Sequence, residues 1–136
     1  MSTFIGKYDA KADVKGRIFI PSTYRKLLPE GKKDRLVMRN KKVEELKNSL
    51  DEWDADDQML LAQFVSDAEW LDIDSQGRVL ISKKYLQQIG IENNEVLFVG
   101  MIDRFAVWGK QRYESNKLSA ADFASKLKEK MTKKQF

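Results

Sequence analysis

The chain has 136 residues, 42% of them apolar and 10% aromatic, with a formal net charge of +4. That is enough apolar material for one compact domain, or for two half-domains sharing a core, and too much for a disordered chain. Neither cysteine nor histidine occurs, which removes disulfides, thiolate chemistry and the commonest metal ligand and general base. No stretch approaches ~18 apolar residues, and the N-terminus carries no apolar signal-like segment, so a soluble intracellular chain is expected.

The charge is unevenly spread. Residues 1–42 hold twelve Lys/Arg against four Asp/Glu, residues 43–74 one against eleven, and residues 75–136 twelve against six. Two basic bodies therefore flank an acidic connector. Clustered basic charge is what a polyanionic partner requires.

In chain order, Phe4 to Ala12 alternates loosely and reads as a strand. Asp13-Val14-Lys15-Gly16-Arg17 is a turn, with Gly16 able to take the positive φ that a sharp reversal needs. Ile18-Phe19-Ile20 is a short strand stopped by Pro21. Ser22 is the expected N-cap of a short helix over Thr23–Leu28, and Pro29 and Gly31 end it. Arg35 to Arg39 closes the unit as a strand. The connector from Lys42 to Phe64 is helical by pattern: Val43, Leu46, Leu50 and Trp53 form one stripe, and Leu60, Leu61 and Phe64 follow a break at Asp54-Ala55-Asp56-Asp57. Those aspartates lack the Gly and bidentate Glu of a calcium loop, so no metal is expected.

The second half repeats the order. Glu69–Ile73 is a strand, Asp74-Ser75-Gln76-Gly77-Arg78 a turn, and Val79-Leu80-Ile81 a strand. Ser82 caps Lys83–Ile89, Gly90 stops that helix, and Glu95–Val99 closes. At an offset of 61 residues Asp13 matches Asp74, Tyr24 matches Tyr85, Leu36-Val37-Met38 matches Leu97-Phe98-Val99, and Asp34 matches Glu95. The chain is an internal duplication. Arg104–Trp108 adds a hairpin partner in the second half. From Ser119 the tail reads as an amphipathic helix with Phe123, Leu127 and Met131 on one side. Residues 4–40 thus form a first unit, 41–64 an acidic helical connector, 65–113 a second unit and 114–136 a helical tail. The class is α+β, mainly β. Units this small cannot bury their apolar faces alone and must pack on each other or on another subunit. Trp53, Trp70, Trp108 and the tyrosines, each within an apolar pattern, are expected in the core or an interface.

In each D-x-x-G-R turn the aspartate can accept hydrogen bonds from the turn's own backbone, from its Arg, or from the Arg of the other copy. Asp13, Asp74 and Gly77 are therefore read as architecture. Lys15 and Arg17 can project to phosphates or guanine edges. Gln76 stands where Lys15 stands, and Lys83-Lys84 restores charge where the first half has Ser22-Thr23. No spacing suggests a nucleophile with its base, and neither an enzyme nor a cofactor is expected.

Two such turns, each followed by an apolar triplet, and in the first copy by Pro21 and a Tyr24-Arg25 helix, resemble the MraZ family, regulators with two SpoVT/AbrB-like repeats. The stretch Ala68–Ile81 and the Phe105-x-x-Trp108 ending carry the likeness, which covers about residues 4–113. The resemblance implies a duplicated AbrB-like, swapped-hairpin β-barrel core. It also implies a cytoplasmic, nucleoid-associated transcription factor of the division and cell-wall gene cluster, forming ring-shaped homo-oligomers on short direct repeats of double-stranded DNA in its own promoter. The alternative is an antitoxin-type AbrB-like module. Carried over to this sequence, the DNA-contacting candidates are Lys15, Gly16 and Arg17 with Arg25, then Gln76 and Arg78 with Lys83 and Lys84 as the weaker copy. Two departures stand out. Ser82 replaces a Pro, and the first half lacks a further strand after Asn40. Either that strand is lost, or residues are missing between Asn40 and Lys41. The second reading is favoured, since loss would leave half of the duplicated sheet unpaired.

Overall fold

A computed structural model of the chain describes residues 3–28, 35–38, 43–66 and 68–133. Seven strands and six helices occur among them: β1 (Lys7–Lys11), β2 (Arg17–Phe19), α1 (Ser22–Leu27), β3 (Arg35–Met38), α2 (Val43–Ser49), α3 (Ala55–Val65), β4 (Glu69–Asp72), β5 (Arg78–Leu80), α4 (Lys83–Gln88), β6 (Glu95–Gly100), β7 (Phe105–Gly109), α5 (Lys110–Asn116) and α6 (Ala120–Lys133). The expected unit of strand, turn, strand, short helix and strand occurs in both halves. No helix among the described residues is long and apolar enough to cross a membrane.

The halves are interlocked. β1 pairs antiparallel with β6, and β3 pairs antiparallel with β4, so each half lends its first strand to the other half's closing strand. Between them β2 pairs with β5 in a register that reads the same from either end: Arg17 opposite Leu80, Ile18 opposite Val79, Phe19 opposite Arg78. A pseudo-two-fold axis therefore passes between Ile18 and Val79. The expected barrel does not close. The strands divide into a three-stranded sheet (β1-β6-β7) and two two-stranded ones, because β2 and β5 are three residues long and end before a ladder to a neighbour can form.

The ladders also correct one alignment. Ala10 pairs with Val96 and Leu71 pairs with Leu36. Ala10 and Leu71 are 61 residues apart, so the partner-equivalent of Leu36 is Val96, not Leu97. The first half has one more residue between its short helix and its closing strand. Asp34 lies outside the described residues. So do Asn40 and Lys41, where a strand or a loop was missed; among the described residues β6 carries β7 on its far edge and β3 carries no such partner.

Alternation explains the core. Ile18, Ile20, Val79 and Ile81 point inward from the central ribbon and are almost fully buried with Val96 and Phe98. Tyr24 on α1 is completely buried. Its ring sits edge-on to Phe4 and Tyr8 at 5.6 and 5.2 Å and lies 4.8 Å from Phe105, while its hydroxyl donates to the Gly6 carbonyl at 2.6 Å. Tyr85 is its buried counterpart on α4.

Several local expectations are revised. Ser22 does not cap α1; it is the first helical residue, and the Pro21 carbonyl accepts from the Tyr24 and Arg25 N–H groups. Ser82 stands at the cap position of α4 but makes no capping bond, and its hydroxyl is buried without a partner. The connector breaks at Leu50–Asp54, a few residues early, because Asp54 accepts from the Asp56 and Asp57 N–H groups and so begins α3. Of the tryptophans expected in the core or an interface, Trp53 and Trp70 are exposed and take no part in the core of the chain. Trp70 lies on the outer face of β4, with the Arg35 guanidinium 5.0 Å above its ring. Ser119 caps α6 through the Asp122 N–H as expected, and α5 has no counterpart in the sequence reading.

Candidate nucleic-acid interface

Both D-x-x-G-R turns are built alike. One oxygen of Asp13 accepts from the Lys15 and Arg17 N–H groups at 2.9 Å each, and its other oxygen accepts from Arg17 Nε at 2.6 Å. Asp74 does the same for Gln76, Arg78 and Arg78 Nε, all at 2.9 Å. Of the alternatives left open by the sequence, each aspartate serves its own turn and its own arginine. Holding the arginine through Nε leaves terminal guanidinium N–H donors for a further acceptor.

These bonds stabilise the carboxylate form. The Arg17 backbone N–H, then the Arg17 guanidinium and the Lys15 N–H, hold the Asp13 carboxyl down to about 2, and Arg78 likewise lowers Asp74. A depressed folded-state value means that the contribution is present above the ordinary carboxyl value of 3.8 and is lost as pH falls toward 2. An NMR titration of the Asp13 carboxyl is expected to show a midpoint near 2, with the Lys15 and Arg17 amides losing exchange protection over the same range. A midpoint at the ordinary value would mean that the turn is not formed in solution.

Each turn is also tied to the other half. Ile81 N–H donates to the Gly16 carbonyl and Ile20 N–H to the Gly77 carbonyl, both at 3.0 Å. The turns therefore sit at opposite ends of one ribbon. Gly16 and Gly77 have φ of +88° and +84°, and neither has room for a side chain. A Cβ on Gly16 would lie 2.7 Å from the Ile81 carbonyl oxygen, whereas on Gly77 it would strike the Arg25 guanidinium. A side-chain tip can move and a ladder carbonyl cannot. Gly16→Ala is therefore expected to cost more stability than Gly77→Ala, both by at least the ~1–3 kcal/mol of a strained backbone, as read from urea unfolding.

Interlocking reassigns the flanking cations. Arg25, expected beside the first turn, lies against Gly77 of the second, and its Nε is buried without a hydrogen-bond partner. At the equivalent place on α4, Leu86 faces Gly16. Lys83 and Lys84 begin the helix that follows Ile81, which is bonded to Gly16, so chain topology places them with Lys15 and Arg17. The first end of the ribbon gathers Lys15, Arg17, Lys83 and Lys84. The second gathers Gln76, Arg78 and Arg25. Sequence alone could not give this grouping, because it depends on which half packs on which.

Strand alternation turns Arg17, Phe19, Arg78 and Leu80 to the outer face of the ribbon. Phe19 and Leu80 are more than half exposed, and so is Val14 at the tip of the first turn. The side chain of Arg17 is 36% exposed and that of Arg78 20%, with the Arg78 guanidinium over the Phe19 ring at 5.8 Å. The two copies are thus unequal: the arginine of the first is the more available. Phe19 and Leu80 were not singled out as surface residues, since each lies inside an apolar triplet read simply as a short strand. Period-two alternation within each triplet was the available signal. Among the described residues no group of three acidic side chains is close enough to hold a metal.

A family model described as the MraZ protein, antitoxin-like, matches residues 64–134. A protein of Bacteroides fragilis named Transcriptional regulator MraZ is 37% identical over 147 positions, covering 96% of this chain and 92% of its own. The namesake of Bacteroides thetaiotaomicron is 36% identical, covering 96% and 94%, and that of Christiangramia forsetii is 28% identical over 152 positions, covering 100% and 97%. Alignments longer than the 136 residues of this chain mean that these relatives supply positions with no counterpart here. None of the three is named as an enzyme. By sequence identity over nearly its whole length and by the family model, the chain belongs to the MraZ family of transcriptional regulators.

Proposed function

We propose that the protein is a sequence-specific DNA-binding regulator that acts in the cytoplasm on the nucleoid. It binds short direct repeats upstream of its own operon, within the division and cell-wall gene cluster, and does so as a homo-oligomeric ring around an AbrB-like duplicated core. The reading rests on one observation above the others: two Asp-anchored arginines, Arg17 and Arg78, face outward from one antiparallel ribbon. A two-stranded ribbon is narrow enough for the major groove, where an arginine fork pairs with guanine O6 and N7. Lys15, Lys83 and Lys84 at the first end supply phosphate contacts, and Gln76 with Arg25 serves the second. One such end neutralises few phosphates, so linked copies on successive repeats are what raises affinity.

The decisive experiment is a footprint of the purified protein on DNA upstream of its own gene. Regularly spaced protection is expected, with log affinity falling linearly with log salt at a slope of about −0.9 per phosphate neutralised. Unprotected DNA, or affinity indifferent to salt, would sink the reading. The antitoxin-type alternative is favoured by the match to a family described as antitoxin-like. It predicts binding without a repeat period and a tail held by a different protein.

A further inference from the structure

The outer face of the β2–β5 ribbon is apolar where a surface made for phosphates alone would be polar. Beside Arg17 and Arg78 it carries Phe19, 54% exposed, and Leu80, 57% exposed. The register sets Leu80 directly opposite Arg17 and Phe19 directly opposite Arg78. Each arginine therefore has one large apolar neighbour, with Cβ atoms about 4.5–5.5 Å apart. Leu80 also leans over the first turn: its Cδ1 lies 3.7 Å from where a Cβ on Gly16 would be. Val14 stands exposed at the tip of that same turn. Single exposed apolar residues are ordinary, but a group of them around an outward arginine marks a surface that meets something apolar. A phosphate offers only charge and acceptors. In the major groove one base edge does offer an apolar group, the C5-methyl of thymine.

We infer that Leu80 and Phe19 are specificity-determining residues that pack on thymine methyls beside the guanines taken by Arg17 and Arg78. The inference rests on the reading of the ribbon as the element that enters the groove. The spacing fits that role. Cross-strand neighbours about 5 Å apart at Cβ can address adjacent base pairs, which rise by about 3.4 Å. Each end of the ribbon then recognises two neighbouring base pairs, one with guanine and one with thymine, rather than a guanine alone. The two ends are not equal. Leu80 accompanies the more exposed arginine, whereas the Phe19 ring also lies 5.8 Å from the Arg78 guanidinium. The larger effect is therefore expected from Leu80.

The test changes the methyl and nothing else. Duplexes carrying the footprinted repeats are made with each thymine replaced in turn by deoxyuridine, which keeps every hydrogen-bonding group and lacks only the methyl. The full chain is expected to lose about fourfold in affinity per engaged repeat at one thymine beside a guanine, the worth of one buried methylene-sized group. Leu80→Ser is expected to bind the thymine duplex more weakly by a similar factor and to ignore the replacement, so that the two losses do not add. Leu80→Met keeps an apolar tip and should keep the sensitivity, and both variants should keep the urea midpoint of the wild type. A full chain indifferent to every replacement, a Leu80→Ser chain as sensitive as the wild type at that thymine, or protected repeats with no thymine beside a guanine would each overturn the assignment. No binding to the thymine duplex at all would refute the groove-reading ribbon itself, and this assignment with it. Binding that ignores the methyl refutes only the role given to Leu80 and Phe19.

Discussion

Arg17→Ala is expected to remove binding to a repeat-containing promoter while leaving the fold intact. The guanidinium is held through Nε by Asp13 at 2.6 Å and is more exposed than that of Arg78, so its fork is the better oriented of the two for a base edge. A bidentate arginine–guanine pair is worth about 1–3 kcal/mol, or roughly 5- to 150-fold for each turn engaged, and linked copies multiply the loss. Arg17→Lys keeps the charge but gives up the planar fork, so it should retain salt-dependent binding and lose sequence preference. Arg78→Ala should cost less, since that side chain is partly spent on the Phe19 ring. Promoter titrations with the three variants separate these cases. Undiminished binding by Arg17→Ala would mean that the first turn is not the reader.

The largest loss of stability is expected from Tyr24→Ala. The ring is fully buried among Phe4, Tyr8, Phe98 and Phe105, where deletion of an aromatic leaves a cavity costing about 3–5 kcal/mol. That is a large fraction of the ~5–15 kcal/mol available to a domain. Tyr24→Phe keeps the packing and leaves the Gly6 carbonyl its other donor, the Gly100 N–H at 2.9 Å, so only about 0.5–1.5 kcal/mol is expected. Urea midpoints of the two variants against wild type check the order. Because Gly6 precedes β1 and Phe105 begins β7, the loss should be felt across the whole three-stranded sheet rather than at α1 alone.

The parts legible in the sequence were those set by local chemistry. Asp, Gly and Arg at fixed offsets spell the turn whether or not the rest of the chain is known, and Gly100–Asp103 between two apolar runs spells the β6–β7 hairpin. What depended on the assembly of the halves was not legible. Arg25 follows the first turn in sequence and lies against the second in space. The one-residue offset that puts Leu36 in the place of Val96 arises in a stretch that is one residue longer in the first half than in the second. Trp53 fits a helical stripe by spacing, yet the helix ends at Ser49 and restarts at Ala55, so its phase is lost. α5 is a polar run, Lys110 to Asn116, with no apolar period to announce it.

The bonds from Ile81 to Gly16 and from Ile20 to Gly77 make the two halves joint owners of each turn. During synthesis the first turn cannot be locked until Ile81 has emerged, some 60 residues later. Neither turn can then form or be lost alone: a proteolytic cut in the connector that lets the halves part would undo both at once. A fragment holding a single repeat should be silent toward DNA even though it contains every residue of its own motif.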